Sequence, residues 1–315
     1  MTDIIKLHYP IQNDVEPTQQ VVAMGFFDGV HQGHQSVIRR AKLEAEKRHV
    51  PLAVLTYDPH PIVAFKTLTK PLRYLTPLDQ KIELMSDLGV DRVYVMRFTS
   101  VLAHLTAQQF VDEVLMHLNP VAVVAGFDHL YGPAHTNSDM THLQGYAGKR
   151  FEAITVPKFS LDDQKIGSSR IRKSLDDGDV DEAARQLARI HTTTGMIVHG
   201  EARGRELGFP TANIQTPEQE WLPGIGIYAV KIKIAGQWYI GMASIGRNVT
   251  FGENRPVTVE INILNFHNEV YGEAVEVAWY HRLRGEIKFN NAEELIEQLV
   301  KDQTATQQYF ETLEK

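Results

Sequence analysis

Apolar and polar positions follow two rhythms along this chain. Through the first 190 residues, short apolar runs recur at Val21–Ala23, 51–57 (PLAVLTY), 90–96 (VDRVYVM), Val121–Ala125 and 151–157 (FEAITVP). Segments with helical spacing separate them. One begins near His31 and runs through Arg40 to Arg48, a second covers 77–88, and a third covers Thr106–Leu118, where Phe110, Val114, Leu115 and Leu118 share a face. Buried strands alternating with amphipathic helices predict βαβ units and a doubly wound parallel sheet. A turn and a helix capped by Asp179 follow in 176–190.

From Thr194 the rhythm changes to short alternating segments between glycine turns, without helices, which predicts a small antiparallel barrel. A terminal helix is predicted from about Ala292, with Asn291 and Glu294 as a capping box and Leu295, Leu299, Tyr309 and Leu313 as anchors. The fold class expected is thus α/β plus β: a Rossmann-like domain over 1–185, then a β-barrel with a C-terminal helix over 186–315. A chain of 315 residues suits two domains of about 150 residues each.

Composition narrows the chemistry. A net charge of −7 speaks against a general nucleic-acid binder, and the absence of cysteine excludes disulfides, thiolate nucleophiles and thiolate metal sites. No apolar stretch approaches 18 residues and no secretory signal precedes the first strand, so a cytoplasmic protein without a membrane partner is expected. Walker, GxGxxG and HExxH motifs are absent.

Five stretches carry candidate chemistry. After Val21–Ala23 the chain passes through a turn with Gly25, Asp28 and Gly29 into a helix carrying His31, Gly33 and His34 at its start. Unpaired amides and the positive end of the helix dipole favour an anion there, and two imidazoles one turn apart can donate to it. On spacing alone, two histidines at a helix start are more often capping or solvated residues. His60 lies in a proline-bounded loop, DPHP, off the end of the next strand. In KIGSSRIRKSL, Ser168, Ser169 and Arg172 suit a polyphosphate, or else form a serine cap with solvated arginines. In GRELGFPTAN, Gly204 and Gly208 permit a tight loop and Pro210 stiffens it before Thr211 and Asn213, hard oxygen donors suited to magnesium held mainly by phosphates and water. Glu260 lies on the polar face of a strand whose other face is Val257, Val259, Ile261 and Ile263.

The stretch GFFDGVHQGHQ resembles the signature of the HxGH nucleotidyltransferases. Its FDGV lead-in, together with SSRIR, PTAN and the β-rich second half, is similar to the bacterial bifunctional riboflavin kinase/FMN adenylyltransferases, or FAD synthetases. That resemblance covers about residues 20–305. It implies adenylylation of FMN to FAD with release of pyrophosphate in the first domain, and phosphorylation of riboflavin to FMN in the second. ATP is the co-substrate of both.

By the same resemblance, His31, His34 and Arg172 act on the adenylyl group, and Gly25, Phe27, Asp28, Gly33, Asp128, Ser168 and Ser169 help bind ATP and its phosphates. His60 and Asp128 are candidates for the flavin loop. Gly204, Gly208, Pro210, Thr211 and Asn213 line the kinase site, with Mg2+ at Thr211 and Asn213, and Glu260 is the base. The implied partners are riboflavin, FMN, FAD and ATP. Departures from the family pattern are His129 and Leu130 after Asp128, Gly167 and Ser169 in the SSRIR stretch, and Val249 before Thr250 and Phe251. A riboflavin kinase with an inactive first domain, and a non-catalytic flavin-binding regulator, remain alternatives at this point.

Overall fold

The structure is a computed structural model that describes residues 2–12, 18–133, 136–200, 203–247 and 257–313. Val249, Thr250 and Phe251 lie outside the described residues, as do Ala134 and His135. The chain divides into two compact units, Met1–Leu72 with Thr76–Ser168, and Arg73–Leu75 with Ser169–Lys315.

The first unit is a six-stranded parallel sheet: β1 (Asp3–Leu7), β2 (Gln20–Met24), β3 (Leu52–Asp58), β4 (Arg92–Arg97), β5 (Pro120–Gly126) and β6 (Glu152–Val156), in the order β1-β4-β3-β2-β5-β6. Alternate residues serve opposite faces. Val22 and Met24 join one core cluster and Val21 and Ala23 the other, so both faces of β2 are covered. Helix α1 (Gln32–Arg48) returns the chain from β2 to β3 and helix α2 (Leu78–Asp87) precedes β4. Strand order reverses between β2 and β5, and the carboxyl ends of strands at such a point form a ligand crevice.

Several elements of this unit were not expected from the sequence pattern. β1 pairs with β4 at the sheet edge, and its largely exposed DIIKL lacks the apolar run of a buried strand. Helix α3 (Met140–Ala147) is capped by Asp139, whose carboxylate accepts from the amides of Thr141 and His142. A small hairpin, β7 (Ser160–Leu161) and β8 (Gln164–Lys165), turns on Asp162 and Asp163, both at positive φ. The third predicted helix is present but changes pitch, running as Ala107–Phe110, a π turn Val111–Leu115 and a 3-10 turn Met116–Leu118.

The second unit holds helix α4 (Ser168–Asp176) from its second residue on, and helix α5 (Val180–Leu187). It then closes an antiparallel barrel from β9 (His191–Val198), β10 (Ala212–Gln215), β11 (Gly226–Ile234), β12 (Gln237–Gly246), β13 (Thr258–Ile263) and β14 (Ala274–Arg284), in the order β10-β13-β12-β11-β14-β9. Ala235 and Gly236, both at positive φ, make the two-residue hairpin turn that suits the strand twist between β11 and β12. Tyr228 and Trp279 fill the core edge to face, with ring centroids 5.5 Å apart.

Helix α6 (Ala292–Leu313) packs through Phe310 and through Asp302, which takes a forked pair of hydrogen bonds from Arg284. Two details of the expected helix change. Leu313 is 56% exposed, because the helix phase turns Phe310 inward in its place. The capping box is only half formed: Asn291 accepts from the Glu294 amide, but the Glu294 carboxylate accepts from the Asn290 amide instead of that of Asn291. Among the described residues no helix is long and apolar enough to cross a membrane.

Burial of one barrel histidine sets a pH limit on stability. His191 is 1% exposed, with Nε2 2.8 Å from the Trp221 carbonyl, and desolvation pushes its pKa down to about 4. The unfolded chain takes up a proton near pH 6.5 while the folded one does not, so folded-state stability falls as pH drops from about 6.5 towards 4. Denaturant unfolding at pH 7 and pH 5 should show wild type losing roughly 2 kcal/mol more than His191→Gln, which keeps a donor for Trp221. Equal losses would remove His191 from this role.

Candidate active sites

The first site is built where the strand order reverses. β2 runs into residues 25–31, β5 runs into 126–130, and β2 pairs directly with β5. Within the turn Phe27, Gly29 and Val30 all have positive φ. For buried Phe and Val this is strained backbone, at about 1–3 kcal/mol each, held by the packing around it. Gly25 is required by that packing, since a Cβ there would lie 2.8 Å from the Phe27 ring.

Asp28 is buried, and polar contacts pin the turn around it. The Gly29 amide donates to the Thr76 hydroxyl at 2.8 Å, the Thr76 amide to Asp28 Oδ1 at 3.2 Å, and the Ser168 hydroxyl to the Asp28 carbonyl at 2.8 Å. The single Ser168 hydroxyl proton therefore secures the turn in this state.

His31 is the N-cap of α1. Its Nδ1 accepts from the His34 amide at 3.2 Å, which puts the proton of the neutral ring on Nε2. The two imidazoles stack, with centroids 3.6 Å apart and planes 18° from parallel, and the Phe27 ring meets His34 edge-on. Gly33 keeps that stack open, because a Cβ there would lie 3.2 Å from His31 Cε1. The pair thus forms one unit at the helix start, with the capping nitrogen committed to the backbone.

His60 reaches the same edge, its ring 4.3 Å from Phe26, while its Nδ1 accepts from the Ile62 amide. Asp128 sits on the exposed loop after β5 and pairs with Lys165, whose ammonium also lies 5.1 Å from the Phe127 ring centroid. Ser169 and Arg172 belong to the second unit, where the Arg172 guanidinium lies 5.3 Å over Trp221.

The barrel gathers the other set. Asn213 on β10 is register partner of Glu260 on β13, and Thr211 precedes it by two residues, so the three side chains share one face. The Thr211 hydroxyl donates to Glu260 Oε2 and the Thr258 hydroxyl to Oε1, each at 3.3 Å. The Asn262 amide holds the Pro210 carbonyl at 2.8 Å. Gly204 admits the Phe209 carbonyl, 2.3 Å from where a Cβ would stand, and the chain turns at Gly208 with φ +84°. Gly200 leaves the space occupied by the Asn213 amide. Beside this group lies a cavity of about 360 Å³ whose walls include Thr211, Ile261, Phe266 and Tyr271. The apolar face expected of β13 is shorter than its alternation suggested, since Val257 lies before the strand and is 44% exposed.

Residues 13–170 match the FAD synthetase family and residues 187–310 the riboflavin kinase family. The chain is 46% identical over 311 residues to the bifunctional riboflavin kinase/FMN adenylyltransferase of Listeria monocytogenes, covering 98% of this chain and 99% of that one. It belongs to that family. The protein of the same name from Bacillus subtilis is 41% identical, with 95% of each chain covered. A solved structure from Streptococcus pneumoniae, described as a macrolide-efflux protein, has TM-score 0.88 and 35% identity, covering 96% of this chain and 99% of that one. The enzyme is thus bifunctional, with the FAD synthetase half first and the riboflavin kinase half second. Riboflavin, FMN, FAD and ATP are the substrates and products of its family.

Three side chains in the FAD synthetase half of this family member had no signal in the sequence. Thr76 pins the turn from a loop with no motif of its own. Lys165 reads as an ordinary surface lysine until the hairpin carries it to Asp128. Lys81, in LDQKIELMSD, is 3% exposed although its neighbours along α2 suggest a solvated lysine. Its Nζ donates to the Phe26 carbonyl at 3.0 Å.

Proposed function

We propose that residues 1–185 adenylylate FMN at the start of α1 and that residues 186–315 phosphorylate riboflavin at the Thr211, Asn213 and Glu260 face. The observation that carries this reading is the convergence of those three side chains: a carboxylate paired with a hydroxyl, opposite an amide, beside a cavity. In the kinase step a ribityl hydroxyl attacks the γ-phosphorus of ATP, Glu260 accepts the hydroxyl proton, and ADP leaves.

Hydroxyl, amide and carboxylate oxygens are hard donors and fit a divalent cation, which supports Mg2+ at Thr211 and Asn213. When bound, the ion supplies charge neutralisation on the phosphates. In the adenylyl step an oxygen of the FMN phosphate attacks the α-phosphorus and pyrophosphate leaves. That nucleophile is already anionic and needs no protein base, so positioning and charge stabilisation by the helix start and His31 and His34 account for catalysis. His60 and Asp128, on loops at the same sheet edge, are proposed to contact the flavin. We place the enzyme in the cytoplasm, with its ATP.

Chromatography of flavins after incubation with magnesium and ATP tests this. FAD from both riboflavin and FMN is the expected result. FMN from riboflavin with no FAD from either would mean an inactive first domain, and no conversion at all would favour a binding protein.

A further inference from the structure

Lys81 is a buried cation with no place in the mechanism above. A lysine loses its hydration only where other groups replace it. Here the Nζ donates to the Phe26 carbonyl at 3.0 Å and to the Thr56 hydroxyl at 3.4 Å, and it stands 4.3 Å from the Phe26 ring centroid. Thr56 in turn donates to the same Phe26 carbonyl at 2.9 Å. Phe26 opens the strained turn that leads to His31, and its ring also meets His60. A methionine would bury the same stem without desolvating a charge, so packing alone does not account for the ammonium.

The charges around it point one way. Asp28, from the turn after β2, and Asp58, at the end of β3, are the carboxylates that act on Lys81; Asp58 also pairs with Arg97 at 3.7 Å. His60, whose ring meets that of Phe26, and the stacked His31 and His34 are further titratable groups at this edge. The ammonium is thus a positive charge set against Asp28 and Asp58, alongside the Thr76 amide that donates to Asp28, at the edge where the proposed reaction brings in a polyphosphate.

We infer that Lys81 is a positioning residue for adenylyl transfer: it holds the Phe26 end of the turn and offsets Asp28 and Asp58 so that the anionic substrates are accepted. This rests on assigning that reaction to the first unit. Burial lowers the Lys81 pKa to about 8, against the pull of the two carboxylates. The offset is therefore nearly complete at pH 6.5–7, half lost near pH 8, and gone well above it. The phosphates of ATP and FMN are fully ionised by then, so substrate titration does not imitate the effect.

The test uses the full chain as wild type, Lys81→Met and Lys81→Arg, each assayed for FMN adenylylation and riboflavin phosphorylation between pH 6.5 and 9.5. Lys81→Met is expected to lower kcat/KM for ATP in adenylylation by about tenfold or more, with KM carrying part of the loss, while the kinase is unchanged. Lys81→Arg should recover part of the loss. Wild-type adenylylation should fall above pH 8 along a limb missing from both the methionine variant and the kinase. A folded Lys81→Met with wild-type kinetics and profile would overturn the inference. If that variant does not fold, the wild-type profile decides, and a flat one to pH 9.5 overturns it. Wild type that makes no FAD from FMN at any pH would instead sink the assignment of the reaction itself.

Discussion

Glu260→Gln is expected to lower FMN formation from riboflavin by roughly 10²–10⁴-fold while FAD formation from supplied FMN continues at the wild-type rate. The substitution is almost isosteric and keeps an oxygen for the Thr211 hydroxyl, which donates to the carboxylate at 3.3 Å. It also keeps the register of β13 against Asn213 on β10. What it removes is the capacity to accept a proton. The loss should therefore appear in kcat, with KM for riboflavin within a few fold, because ground-state binding survives. A large rise in KM with kcat intact would make Glu260 a binding group instead of a base. Thr211→Val should act differently, weakening ATP more than riboflavin, since it removes the hydroxyl proposed to hold Mg2+ and the phosphates and leaves the proposed base Glu260 in the chain. Steady-state kinetics of the two variants, varying each substrate in turn, separates the two roles within one barrel face.

The parts of this molecule legible in its sequence are those where one local rule dominates. Val21–Ala23 and Val121–Ala125 could only be buried strands, and Asp179 could only begin a helix; the structure has all three. The pairing of Asn213 with Glu260 was implied by separate motifs but not derivable, because residues 47 apart meet only through the order in which the barrel closes. Other features depend on tertiary context alone. β1 is a strand because β4 offers it an edge, and its own residues are largely exposed. Lys81 carries the composition of a surface residue into a buried place, and nothing in its local pattern could say so. For His31 the sequence left capping, solvation and anion contact open together; its extended backbone and the His34 amide 3.2 Å from Nδ1 make it the cap.

That capping role shapes the second large expected effect. His31→Ala should lower adenylylation of FMN by about a hundredfold or more, the scale for removing one preorganised donor from a developing charge, and leave riboflavin phosphorylation intact. It also deletes an N-cap, which costs about 1 kcal/mol of helix stability, so loss of activity alone does not identify the cause. His31→Asn resolves it. Asparagine is among the best N-caps and its side-chain oxygen can take the His34 amide, restoring the helix start without an imidazole. The expected pattern is thermal stability near wild type for His31→Asn, reduced stability for His31→Ala, and strongly impaired adenylylation in both. Recovery of the reaction in the asparagine variant would mean that His31 serves only as a cap and that His34, stacked on it at 3.6 Å, carries the contact to the nucleotide. His34→Ala would then show the larger defect, and the order of the two histidine effects reports which ring faces the phosphate.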